Sequence, residues 1–278
     1  VFKNILVGID PSEHSRNAQA YAFYLARRFD ASVTGLHVVD IVSIEGPFLH
    51  DISGSFGLEP YLDLSFKMRE ALTARGNALL EAFAADARRE NIRVETVLDL
   101  GVVANVICEH AKSSDLLAIG HRGMNERFST GLLGSTTESV TRKCTRPVFI
   151  SPMAFREIRR AVLAYDGSER ASNAMRHAAE FCGELKIPLT VVTVARDPKL
   201  GERSLNEARS YFRSHSGQID FELLSGHVHE AIVAYLKQTA AELLFIGAYG
   251  HSRIIEMVLG STTEYVLRNA ACPVFLSR

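Results

Sequence analysis

Gly120-His121-Arg122-Gly123, followed ten residues later by Gly134-Ser135-Thr136-Thr137-Glu138, is written twice in this chain. It returns as Gly247-Ala248-Tyr249-Gly250 and, nine residues later, Gly260-Ser261-Thr262-Thr263-Glu264. Repetition at such a distance decides the architecture before any single element is assigned. Working outward, Lys3–Glu13 answers Arg159–Glu169 at an offset of 156, and Pro147-Val148-Phe149-Ile150 answers Pro273-Val274-Phe275-Leu276 at 126. The order of the matches is preserved throughout, so the chain is a tandem duplication whose first copy is about 30 residues longer. The 278 residues therefore divide into two domains, 1–152 and 157–278, with the seam near Pro152–Ile158.

Each copy reads as strand, helix, strand, helix. Ile5-Leu6-Val7-Gly8-Ile9 is a continuous apolar run, the pattern of a parallel strand covered on both faces. Ser12 then stands as an N-cap before apolar residues at helical spacing. Strands follow at Ser32–Val39, Arg93–Leu98, Leu116–Ile119 and Pro147–Ser151. Helices are expected at 62–89, 102–112 and 135–143, with 43–60 a long loop. The second copy repeats the strands near 160–165, 189–194, 219–224, 243–246 and 273–277, and its segment 196–208 is short and polar where the first has the long loop. The expected fold is α/β: two tandem doubly wound domains of Rossmann-like type, each a five-stranded parallel sheet flanked by helices.

Ligands of such sheets bind beyond the carboxyl ends of the strands, where the strand order reverses. If the reversal falls between the first and fourth strands, the crevice is lined by Asp10-Pro11-Ser12 and the glycine element, and in the second copy by Asp166-Gly167-Ser168 and its counterpart. Gly120, Gly123, Gly247 and Gly250 allow close backbone approach. Gly134-Ser135-Thr136 and Gly260-Ser261-Thr262 open the last helix of each copy, where free amides and the positive dipole end favour phosphate. Arg122 adds charge for the same phosphates. Asp10 beside phosphate calls for a bridging cation such as Mg²⁺, or for a ribose hydroxyl.

Other chemistries are disfavoured. A net charge of −1 gives no basic field for nucleic acid, and no apolar run approaches membrane-spanning length. Cys108, Cys144, Cys182 and Cys272 have no metal-like spacing and read as buried free thiols in a reducing compartment, with the cytoplasm the default location. With a strand pattern from the third residue, no leader is expected. His227-Val228-His229 invites a metal, but its place at a helix start reads better as capping. Walker and dinucleotide fingerprints are missing, and nothing marks a nucleophile elbow.

At this point the chain resembles the universal stress protein family in its tandem, ATP-binding form. The resemblance covers essentially the whole sequence and rests on the Gly-x-x-Gly, nine residues, Gly-Ser spacing of Gly247, Gly250, Gly260 and Ser261. Gly120, Gly123, Gly134 and Ser135 match in type with one extra residue between. The resemblance implies ATP, with or without Mg²⁺, held by Asp10 and Asp166 near phosphates or ribose, and by Val38 and Val194 against adenine. It implies a stress-response regulatory protein rather than an enzyme. A slow Mg-dependent ATPase or phosphotransferase, or a scaffold with decayed sites, are the alternatives. It also implies that the fifth strands meet in an intramolecular pseudo-dimer. A further homodimer is expected, with 43–60 a candidate contact.

Overall fold

A computed structural model describes residues 2–41, 58–123, 133–248 and 260–278. The first half contains β1 (Asn4–Gly8), α1 (Glu13–Phe29), β2 (Ser32–Asp40), α2 (Leu58–Arg89), β3 (Val94–Gly101), α3 (Val103–Ala111), β4 (Leu116–Gly120), α4 (Ser135–Lys143) and β5 (Val148–Ser151). The second contains β6 (Ala161–Ala164), α5 (Glu169–Leu185), β7 (Leu189–Val194), α6 (Pro198–Phe212), β8 (Ile219–Leu224), α7 (Val228–Gln238), β9 (Leu244–Gly247), α8 (Ser261–Asn269) and β10 (Val274–Ser277). Most of the candidate contact loop 43–60, and Tyr249 and Gly250 of the second glycine element, lie outside the described residues.

The first helix of each half shows why the duplication folds twice. Ser12 and Ser168 are extended N-caps whose hydroxyls accept from the amides of Ser15 and Ala171, both at 3.1 Å. At the other end Asp30 and Lys186 adopt the left-handed conformation, at φ 50° and 54°, and close the last turn onto Ala26 and Cys182. Both helices bury an apolar stripe against the sheet, including Tyr21, Leu25 and Phe29 in one and Ala178, Phe181 and Leu185 in the other.

Among the described residues the strands form one ten-stranded sheet in the order β3-β2-β1-β4-β5-β10-β9-β6-β7-β8. Pairing within each half is parallel, and the halves join where β5 and β10 run antiparallel, with Phe275 opposite Phe149. The expected meeting of the fifth strands is thus a main-chain ladder. Two apolar layers cover the sheet and both cross the seam. One holds the α1 and α5 stripes, where Phe29 packs edge-on to Phe181 at 5.1 Å between centroids and Phe2 lies 5.6 Å from Phe275. The other holds the inner faces of α3, α4, α7 and α8.

Two expectations need correction. The helix expected to start at residue 62 begins at Leu58. The polar stretch 196–208 is largely helical, because Asp197 caps it through Lys199 N at 2.9 Å, Pro198 sits in the first turn, and Gly201, Leu205, Ala208 and Phe212 form one buried stripe. Short loops and long polar faces look alike when only composition is weighed.

Candidate nucleotide crevice

The strand order reverses between β1 and β4, and likewise between β6 and β9. The residues following those strands therefore face one another across a gap in each half, as the doubly wound topology requires.

In the first half Asp10 is held by its own turn. Its Oδ1 accepts from Ser12 N at 2.7 Å, while its main-chain N–H donates to Ser15 Oγ at 2.9 Å. Its second oxygen looks across the gap, where a β-carbon added to Gly123 would come within 3.0 Å of it. A β-carbon on Gly134 would stand 3.0 Å from the Arg122 α-carbon and 3.4 Å from Gly123 N. Asp10, Arg122, Gly123 and Gly134 are therefore brought into one place from three separate segments. Pro11 and Ser12 complete the turn and are half-buried.

Gly134 is the N-cap of α4, with φ −61° and ψ 140°, and no side chain caps the helix. Its own N–H donates to His121 O at 3.2 Å, which pins the helix start beneath the glycine loop. The amides of Ser135, Thr136 and Thr137 have no helical acceptor behind them. Ser135 is exposed and Thr136 half-buried, whereas Thr137 is buried and donates its hydroxyl to Gly120 O at 2.8 Å. Sequence reasoning credited Ser135 and Thr136 and missed Thr137; its signal was the third letter of the repeated Ser-Thr-Thr.

Gly120 and Gly247 also have a role in packing. A β-carbon at Gly120 would strike His14 main-chain atoms at 2.8 and 2.9 Å, and one at Gly247 would strike Arg170 and Ala171 backbone at 2.7–2.9 Å. These two glycines let the fourth strand of each half dock against the first helix. His121, beside Arg122 in sequence, turns away from the crevice, and its Nε2 contacts Leu267 O at 2.7 Å across the seam.

The second half repeats the arrangement with other means. Asp166 Oδ1 accepts from Ser168 N at 2.9 Å, the counterpart of the Asp10 turn. The residue between them is Gly167 at φ +80°, a conformation closed to the proline of the first half. Gly260, at φ −60° and ψ 142°, caps α8 without a side-chain bond, and Ser261 and Thr262 occupy its first turn. Val194 ends β7, and Val38 lies two residues before the end of β2; both are half-buried beside the first strand of their half.

Among the described residues no group of three or more His, Cys, Asp or Glu could hold a metal. His229 instead packs on the Tyr265 ring at 4.4 Å. Asp10 alone suits Mg²⁺ only as a partner to ligand phosphates, the usual way that ion is held. Among the described residues no helix is long and apolar enough to cross a membrane.

The chain is similar over its length to proteins of known type. A universal stress protein of Synechocystis sp. is 30% identical over 287 residues, spanning 99% of this chain and 100% of that protein. One from Mycolicibacterium smegmatis is 27% identical, spanning 99% and 96%. Among solved structures, a universal stress protein from Archaeoglobus fulgidus superposes with a TM-score of 0.77 at 23% identity, covering 99% of this chain and 98% of that one. The sequence model of the universal stress protein family matches residues 2–152 and again 157–278, so the chain belongs to that family, in its tandem two-domain form.

Proposed function

We propose that the protein is an ATP-binding regulatory protein of the stress response, with one nucleotide site per half. The observation that carries this reading is the first-half crevice. There a glycine loop bearing Arg122, an aspartate fixed by its own turn, and a helix start without a side-chain cap converge. In this reading the α4 amides and Arg122 take the polyphosphate, Asp10 takes the ribose or a phosphate-bound Mg²⁺, and Val38 flanks the adenine. Asp166, Gly167, Ser168, Val194, Gly247, Gly250, Gly260, Ser261 and Thr262 form the second site.

The first site has the more useful side chains, Arg122 above all, and the second has the shorter loop between its glycines. Bound nucleotide acts by selecting one conformation, shifting its population by the difference in affinity between states. We further place the protein in the cytoplasm as a homodimer, with domains 1–152 and 157–278 each carrying one site.

Denaturing the purified protein and identifying the released nucleotide tests the reading. Retained ATP, with no ADP formed on incubation with Mg²⁺, is the expected result. Repeated ADP release would make the protein a slow ATPase instead. An empty protein whose melting temperature ignores added ATP would refute nucleotide binding.

A further inference from the structure

The nucleotide reading leaves one group of reactive side chains unused. Cys108 lies on α3 and Cys144 is the C-cap of α4, and two polar clamps bring these segments together on either side of the pair. One turn before Cys108, Asn105 Oδ1 accepts from Lys143 Nζ at 2.7 Å. One turn after it, Lys112 O accepts from Arg146 Nη2 at 2.6 Å. Cys108 thus sits between Asn105 and Lys112 on one helix face, and Cys144 between Lys143 and Arg146 opposite. Cys144 is buried in the apolar layer beneath these helices, and Cys108 packs against the same layer.

The duplication supplies an internal control. Aligned by its first residue, α7 places Val233 where α3 has Cys108, and the C-cap of α8 is Ala270 where α4 has Cys144. Val233 is buried and Ala270 packs against the same layer. The fold does not require sulfur at either place.

We propose that Cys108 and Cys144 are a redox-active dithiol, oxidised by peroxide to a disulfide that staples α3 to the end of α4. Cys144 supplies the nucleophile. The Cys108 thiol beside it holds the Cys144 thiol below its ordinary pKa, and the Arg146 amide together with the Arg278 and Arg146 charges acts in the same direction. Lys143 is the further cation facing the pair, from the end of α4. Cys108 keeps its proton, its pKa raised by the Cys144 sulfur beside it and by burial. It is also the more accessible of the two, so peroxide reaches the pair from its side.

The Cys144 thiolate attacks one peroxide oxygen, the O–O bond breaks, and the leaving hydroxide takes the Cys108 proton to become water. Cys108 sulfur then attacks Cys144 sulfur, the S–S bond forms, and the S–OH bond breaks. The departing hydroxide is protonated to a second water by solvent. The two thiols lose two electrons, which reduce one peroxide. Cys182 and Cys272, each pushed up to about 12 by burial, stay as thiols.

The reduced full-length chain, treated with graded hydrogen peroxide, alkylated and digested without reductant, tests this directly. Two of four thiols should disappear together, with a mass lower by two hydrogens and a Cys108–Cys144 linked peptide that reductant releases. The rate of linkage should rise with pH and level off below the range of an ordinary thiol. Cys108→Val and Cys144→Ala copy the residues of the second half and should each abolish the linked peptide, while Cys272→Ala should leave it. Accumulation of singly oxygenated Cys108 without linkage, a link to Cys182 or Cys272, or four intact thiols in the wild-type chain would each overturn the proposal.

Discussion

Glycines that look alike in the repeat divide by what their missing side chain would touch. Gly120 meets the backbone at His14, which cannot give way, whereas Gly123 meets only the Asp10 carboxylate. Gly120→Val should therefore destabilise the fold by about 2–3 kcal/mol, by overpacking a strand–helix contact. Gly123→Ala should leave thermal stability nearly unchanged and weaken nucleotide binding. Urea unfolding beside nucleotide titration of both variants checks the contrast, and the reverse pattern would mean that the two roles have been exchanged. The types at Asp10, Gly123 and Gly134 were legible in the sequence, because charge and close approach are properties of residue type. That His121 turns to the seam was not legible, since the direction of a side chain in a loop depends on packing from the other half.

The final helix of the first half is positioned by a hydroxyl hidden from solvent. Thr137 ties the first turn of α4 to the end of β4 through Gly120 O, so the amides offered to a ligand are registered to the glycine loop. Thr137→Val keeps the shape and removes the bond. The expected cost is roughly 1–2 kcal/mol of stability, since Gly120 O loses a buried partner. Nucleotide affinity should fall as well, read by calorimetric titration; unchanged affinity would show that the helix start needs no such tether. The elements themselves were readable from apolar runs and caps, because Ser12 and Ser168 precede clear stripes. Segment 198–212 was harder to place. Lys199, Glu202, Arg203 and Glu207 dominate its composition, and its stripe of Gly201, Leu205, Ala208 and Phe212 begins with a glycine.

The two halves join at the β5–β10 ladder, and the connection between them is fastened by two tyrosines of α1. Tyr21 Oη accepts from Arg156 N at 2.9 Å, and Tyr24 Oη donates to Ile158 O at 3.2 Å. Burial pushes Tyr21 from 10.0 up to about 12, and Tyr24 is raised by the same cause. A folded-state pKa above the unfolded value means that stability is fully present below pH 10 and declines as pH climbs toward 12. Unfolding free energy should drop by roughly 1–2 kcal/mol over that interval from Tyr21 alone. Tyr21→Phe should flatten the decline; a slope identical to that of the wild type would show that the seam is insensitive to this hydroxyl.

The tandem architecture was legible because duplication preserves order, and the switch point followed from topology. The joining of both sheets into one continuous ladder came from the family resemblance, since a short apolar edge strand does not name its partner.

Nucleotide binding in each half depends, in the proposed reading, on helix-start amides gripping a polyphosphate. Calorimetric titration of ATP into the wild type, Gly134→Val, Gly260→Val and the double variant measures this most directly. Once any retained nucleotide is stripped, stoichiometry should fall from two sites to one in each single variant and to none in the double, with the proteins still folded. A folded double variant that binds ATP as the wild type does would contradict that reading.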